Sequence, residues 1–206
     1  MTTSSRLGVT LILLSVVAMD SLSRYRLAPS WTAETIFAVG VVAMLLAAVM
    51  RTEFWHRAEL LALWTIAVAG LLYNAANLCN TINILAYHVV EPATLFYTGV
   101  TIWVNNVLTF TLLYWLMDRG GPDARANNRA YPDFDFPAMS DPERVRPNWQ
   151  PSLVDYLFIG FTTSTAFSPT EAQPLTARAK LLMIVQSAIS LATIAIVAAR
   201  AVNIIQ

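Results

Sequence analysis

Near the C-terminal end of the chain four hydroxyl residues stand in succession, Thr162, Thr163, Ser164 and Thr165, followed by Ala166, Phe167 and Ser168. Hydroxyls grouped in this way can line a narrow, wet passage and replace part of an ion's hydration shell, and Phe167 can equally plug it. Glu171 follows, where a carboxylate repeated around an axis would make a cation-attracting ring; a solvated surface carboxylate is the plainer alternative. Asp155 stands ahead of the hydroxyl run, where it either caps the positive end of a short helix or attracts cations. Gln186, Ser187, Ser190 and Thr193 share one helical face and would line the same passage, unless they only pack.

A second polar group is the stripe Asn74, Asn77, Asn80 and Asn83. Steps of three residues keep these side chains nearly continuous along a helix. Amides in hydrocarbon need partners. Asn105 and Asn106 of the next helix are candidates for interhelical hydrogen bonds; the alternative is a hydrophilic vestibule or solute path. Two His-x-x-Glu pairs, His56 with Glu59 and His88 with Glu91, each offer only two metal ligands and read better as solvated interfacial side chains. No phosphate loop, nucleophile setting or hydrolytic carboxylate pair is present, so no catalytic residue, metal or cofactor is expected.

These residues sit in a chain built for lipid. Of 206 residues, 56% are hydrophobic and only 13% charged, against about 25% charged in a soluble domain. Zero formal net charge excludes a basic nucleic-acid footprint, and the single Cys79 excludes an internal disulfide. Apolar runs of roughly 20 residues span a bilayer as helices. Such runs extend over about residues 5–22, 31–50, 58–87 and 93–117, and a last one over 175–205. Between them, residues 118–150 hold Gly120-Gly121-Pro122, Asn127-Asn128, four further prolines and eleven charged residues, which reads as a solvated loop with little regular structure.

Residues 152–167 are too short and too polar for a full span. A short helix that enters the membrane and returns as an extended strand fits them better, provided protein or water shields the backbone. Short re-entrant helix, polar strand, proline-bounded turn and long helix is the order of elements in an ion-channel pore. The expected fold is therefore an all-α integral membrane protein with five transmembrane helices and a re-entrant pore-like helix and loop. It divides into an N-terminal three-helix region (1–92) and a pore-like module (93–206).

Asp155-Tyr156-Leu157-Phe158, Phe161 to Ser168, Pro174-Leu175 and the last helix distantly resemble the pore helix, filter and inner helix of potassium channels. Phe134-Asp135-Phe136-Pro137, Phe161-Thr162, Phe167, Arg178 and Val202-Asn203-Ile204 resemble an uncharacterised family of bacterial predicted membrane proteins, a domain of unknown function. The potassium-channel resemblance implies a homotetramer, because one such loop cannot enclose a pore, and an inorganic cation as its cargo. Where that filter reads Thr-Val-Gly-Tyr-Gly, this chain has Ser164-Thr165-Ala166-Phe167-Ser168. Both glycines are missing, and the backbone angles they allow cost an ordinary residue roughly 1–2 kcal/mol each. An unconventional or poorly selective cation passage is the expectation. A small-solute transporter using the Asn stripe and a non-conducting membrane partner protein are the alternatives.

Arginines favour the cytoplasmic side of short loops. With five crossings the N-terminus, the 51–57 loop and the 118–150 loop share one side and carry eight arginines, against Arg24, Arg26 and Arg200 on the other. The N-terminus is thus expected in the cytoplasm of a bacterial inner-membrane protein.

Overall fold

The computed structural model describes residues 3–22, 42, 49, 53–126, 131–140, 149–165 and 172–204. Helix α1 is Thr3–Leu22, α2 Glu53–Tyr87 and α3 Pro92–Met117. A 3-10 turn at Asp118–Gly120 leads to the short helix α4, Pro122–Ala126. Strand β1 (Phe134–Asp135), the one-turn helix α5 (Pro137–Ser140), α6 (Leu153–Thr165), β2 (Gln173–Pro174) and α7 (Ala177–Ile204) complete the order. The expected span over 31–50 lies outside the described residues, apart from Val42 and Val49.

Three helices are long and apolar enough to cross a membrane, at Arg57–Tyr87, Pro92–Gly120 and Ala177–Ala199, and they make this a membrane protein. The apolar stretch of α1 is shorter, Arg6–Val16. Helix α3 is the axis: from Thr94 to Met117 it is buried on most sides by α1, α2, α6 and α7. Its neighbours keep outward apolar faces, Leu61, Val68 and Leu72 on α2 and Leu181, Ile184, Leu191 and Ile194 on α7, as helices in lipid do. Val9, Leu13, Leu63 and Ala67 share one core with Phe110, Tyr156 and Met183. Helices α1 and α2 thus share a core with α3, α6 and α7.

Proline at its first turn suits the start of α3, where the missing N–H has no helical partner anyway. It stops because Arg119 (φ 55°), Gly120 (φ 74°) and Gly121 (φ 98°) turn left-handed. Gly121 is required here: a Cβ at that φ would also stand 3.1 Å from the Leu116 carbonyl oxygen.

The described residues of 118–150 do not form the solvated loop expected. Phe134 and Phe136 are buried, and β1 pairs antiparallel with β2, Phe134 opposite Pro174 and Asp135 opposite Gln173. The cause is the alternation Phe-Asp-Phe, which turns both rings to one side. There they meet Tyr156 edge-on, with centroids 6.4 Å and 5.6 Å away, and Phe136 also meets Trp149 at 5.8 Å. Such edge-to-face pairs add about 0.5–1.5 kcal/mol beyond their buried area.

One end of the bundle gathers the helix ends. Arg6 of α1 donates twice to Glu59 of α2, at 2.8 and 3.0 Å. Leu153, opening α6, fills the space over Gly8. Asp118 at the end of α3 and Asp133 beside β1 lie at this end too, joined to the starts of α6 and α7 as described below.

Candidate functional site

The short helix α6 is set by a local signal. Ser152 stands at its N-cap, and the Asp155 carboxylate accepts from the Ser152 N–H at 2.6 Å and from its hydroxyl at 2.7 Å. This is the return half of a capping box. Asp155 is therefore engaged as a cap rather than held free for a cation.

From Leu153 the helix runs 13 residues to Thr165, or about 20 Å. Thr162, Thr163, Ser164 and Thr165 are thus helical, not the expected extended strand. In a helix the carbonyls bond along the axis, so these residues offer side chains and not a ring of carbonyls. The Thr162 hydroxyl donates to Phe158 O and the Thr165 hydroxyl to Phe161 O. The Ser164 hydroxyl accepts from Gln186, and Thr163 Oγ1 is buried with no hydrogen-bond partner. Ala166, Phe167, Ser168 and Glu171 lie outside the described residues.

Gln186 is the hub of this layer. It is wholly buried, donates through Nε2 to Gly160 O at 2.7 Å and Ser164 Oγ at 2.8 Å, and accepts from the Tyr114 hydroxyl at 2.5 Å. Ser190 accepts from Asn106 Nδ2 at 2.9 Å, and that nitrogen also donates to Gln186 O at 3.0 Å. Gln186 and Ser190 therefore face the interior of the helix bundle and staple α3, α6 and α7. With no water in the bilayer core, each such bond satisfies a group that would otherwise cost several kcal/mol. Gly160 permits the closeness, since a Cβ there would stand 2.8 Å from Thr111 Oγ1 and 3.0 Å from Val107 O.

The second cluster ties down both flanks of α6. Asp118 is fully buried and accepts from the Asp133 N–H at 2.7 Å and the Tyr156 hydroxyl at 2.5 Å. Arg125, almost wholly buried, donates to the Tyr156 hydroxyl at 3.0 Å and to Trp115 O at 3.1 Å. Asp133, also buried, accepts from Nε and Nη2 of Arg178 at 2.6 Å each and from the Thr176 hydroxyl at 2.6 Å. Burial alone would push the Asp133 carboxyl up. The hydrogen bonds from Arg178 and Thr176, the Arg178 charge and the Arg119 N–H outweigh it and hold the group below the usual carboxylate range.

The chain therefore enters α6 beside Asp118 and comes out into α7 beside Asp133, at the same end of the bundle. Between those points Ser164 stands about 17 Å along α6, where its carbonyl accepts from Trp103 Nε1 at 3.2 Å. Trp103 is the twelfth of the 26 residues of α3, close to its midpoint.

The Asn stripe divides. Asn74 and Asn77 are buried against α3 while Asn83 is exposed and Asn80 half-buried. Asn74 Nδ2 reaches Asn106 Oδ1 at 3.4 Å, the interhelical pairing expected from the sequence. The Oδ1 atoms of Asn74, Asn77 and Asn105 are buried without a hydrogen-bond partner. Glu59, expected to be solvated beside His56, is instead buried against Arg6. A carboxylate so buried requires a charged partner. Glu91 accepts from Thr94 at 3.2 Å. Among the described residues no three His, Cys, Asp or Glu side chains come together as a metal site.

Sequence reasoning missed Tyr114, Asp118, Arg125 and Asp133. The one available signal was Asp118 itself, an acid closing a long apolar run just before Gly120-Gly121. Compared with known proteins, the chain matches no family model, no curated protein and no solved structure.

Proposed function

We propose that this chain is one subunit of an oligomeric membrane passage for inorganic cations, in which α6 dips into the membrane and turns back partway. One observation carries the reading: both flanks of the α6–β2 stretch are fastened to the Asp118–Asp133 cluster at one end of the bundle, while Ser164, near the end of α6, stands beside the middle of α3. A single subunit leaves Val154, Phe158 and Phe161 exposed along α6, an apolar face that neighbouring copies would cover. Four copies are the proposed number, by resemblance to potassium channels. Selectivity is poor because the filter glycines are absent. Five crossings, with one over residues 31–50, place the N-terminus and the Asp118 end in the bacterial cytoplasm by the distribution of arginines.

Two experiments test this. In a Cys79→Ser background, Ser152→Cys and Pro174→Cys should both react with an impermeant maleimide from the same side of sealed vesicles. Reaction from opposite sides overturns the re-entrant reading. Purified protein in liposomes should then dissipate a cation gradient, and Thr165→Trp should change that flux; a flux indifferent to position 165 overturns the passage through α6.

A second reading is small-solute transport along the α2–α3 seam. It is favoured by the unpartnered Oδ1 atoms of Asn74, Asn77 and Asn105.

A further inference from the structure

The seam between α2 and α3 has a defined register. The space over Gly70 is filled by Thr109, with Oγ1 3.2 Å from the position of a Cβ. In an antiparallel pair this brings Asn74 level with Asn105, Asn77 level with Ile102 beside Thr101, and Thr81 level with Thr98. All six polar residues among these partners of α2 and α3 are at least nine-tenths buried: Asn74 2%, Asn77 8%, Thr81 5%, Thr98 1%, Thr101 5% and Asn105 5% exposed.

The orientation of Asn74 is dictated from the far side of α3. Asn106 must turn its Nδ2 toward Gln186 O, a main-chain carbonyl that can only accept. Its Oδ1 then faces α2 and requires a donor, so Asn74 presents Nδ2 to it and aims its own Oδ1 elsewhere. Exchanging the two atoms of either amide would set acceptor against acceptor. Asn77 lies one turn along the same face, and its Oδ1 and that of Asn105 are also without partners. The hydroxyls of Thr81, Thr98 and Thr101 already donate to Asn77 O, Thr94 O and Tyr97 O, each at 2.8 Å. Their oxygens keep lone pairs only. Three buried acceptors of the seam are thus reached by no donor.

From this imbalance we infer that Asn74, Asn77 and Asn105 bind a small monovalent cation between α2 and α3. One water molecule donates only two hydrogens, whereas a cation can take three oxygens as ligands. Sodium, potassium and ammonium share the required chemistry. A divalent ion is disfavoured because such ions take carboxylates, and no Asp or Glu lies between residues 60 and 90 or between 92 and 117. The inference deepens the seam-transport reading by naming its cargo class, and it is independent of whether α6 conducts.

The test uses the full chain in detergent, with thermal unfolding followed at equal ionic strength in sodium, potassium, ammonium and choline chloride. At least one small cation should raise the midpoint saturably above choline, since a ligand that binds only the folded state stabilises it. Asn77→Leu and Asn105→Leu should each weaken that response about tenfold or more in apparent affinity, while Asn83→Leu, on the exposed side of α2, retains it. Should the leucine variants fail to fold, Asn77→Asp offers a second measure: it should tighten retention of radioactive sodium or rubidium by the purified protein. A midpoint indifferent to the cation, equal responses in wild type and N105L, or stabilisation by calcium alone each overturns the assignment; the first is also what a seam filled only by water would give. Binding that persists in Thr165→Trp, whatever happens to its flux, separates this site from the α6 passage.

Discussion

Replacing Asp118 by alanine should loosen the hold of the bundle on β1 and on the start of α6. The carboxylate accepts from the Tyr156 hydroxyl, from the Asp133 N–H and, at 3.4 Å, weakly from the Phe134 N–H, all in a fully buried setting. Each buried donor left without an acceptor costs about 1–3 kcal/mol. Arg125 would lose its nearest carboxylate, 3.9 Å away, and uncompensated buried charge raises the cost of breaking such a pair to about 3–5 kcal/mol. Because Tyr156 and Arg125 also bond each other, the losses overlap, and about 3–5 kcal/mol is the expected total for Asp118→Ala. Unfolding in mixed micelles of mild and denaturing detergent, read by circular dichroism, gives the global value. Tryptophan fluorescence, to which Trp149 on Phe136 contributes, should begin to change at lower denaturing detergent than the helical signal. Asp118→Asn, which keeps one acceptor, should fall between wild type and alanine, and the exposed Gln173→Ala should be neutral. A loss below about 0.5 kcal/mol in Asp118→Ala, the range of ordinary surface changes, would refute the claim that this carboxylate holds both flanks of α6.

Gly99→Ala would bring a Cβ 2.4 Å from Val197 Cγ2; valine is stiff at χ1, so the overpacking should cost about 1–3 kcal/mol, and adding Val197→Ala should restore most of it in the same unfolding assay. Gln186→Leu should cost more than a typical buried hydrogen bond of about 1 kcal/mol, because Tyr114, Gly160 and Ser164 lose a partner together; an unchanged midpoint would contradict its role as hub. Asp133 has a folded-state pKa below the ordinary carboxylate value, so its ionised form stabilises the fold. That contribution is complete above the unfolded value of about 3.9 and is lost as pH falls through the lower folded value. The stability difference between wild type and Asp133→Asn should therefore be constant near neutrality and shrink in acid, though its size is limited by the exposure of Arg178, 58% at the side chain. Arg6→Ala should weaken the tie between α1 and α2 more than Glu59→Ala does, since it strands a fully buried carboxylate whereas Arg6 left alone can turn to solvent; equal losses would show that burial of the carboxylate is immaterial.

The sequence by itself determined that this is a helical membrane protein and nearly where its long helices lie. The runs expected at 58–87, 93–117 and 175–205 are found as Glu53–Tyr87, Pro92–Met117 and Ala177–Ile204. Bilayer thickness and the need to satisfy every backbone group locally leave a long apolar run one option, so hydropathy alone suffices. The Ser152–Asp155 cap and the Asn74–Asn106 pairing were legible for a similar reason: each depends on spacing within one helix or between adjacent ones. Only the tertiary structure decided what the polar residues do. Phe134 and Asp133 lie in a stretch whose prolines and charges read as solvent-exposed, and their burial depends on Tyr156, Thr176 and Arg178, 22 to 45 residues away. Gln186 and Ser190 lie on a helix with both a lipid and a protein side, and spacing places them together without saying which side. That choice was made by the hydrogen bonds available from Tyr114, Asn106 and Gly160, because in a medium without water a polar side chain goes where a partner already stands.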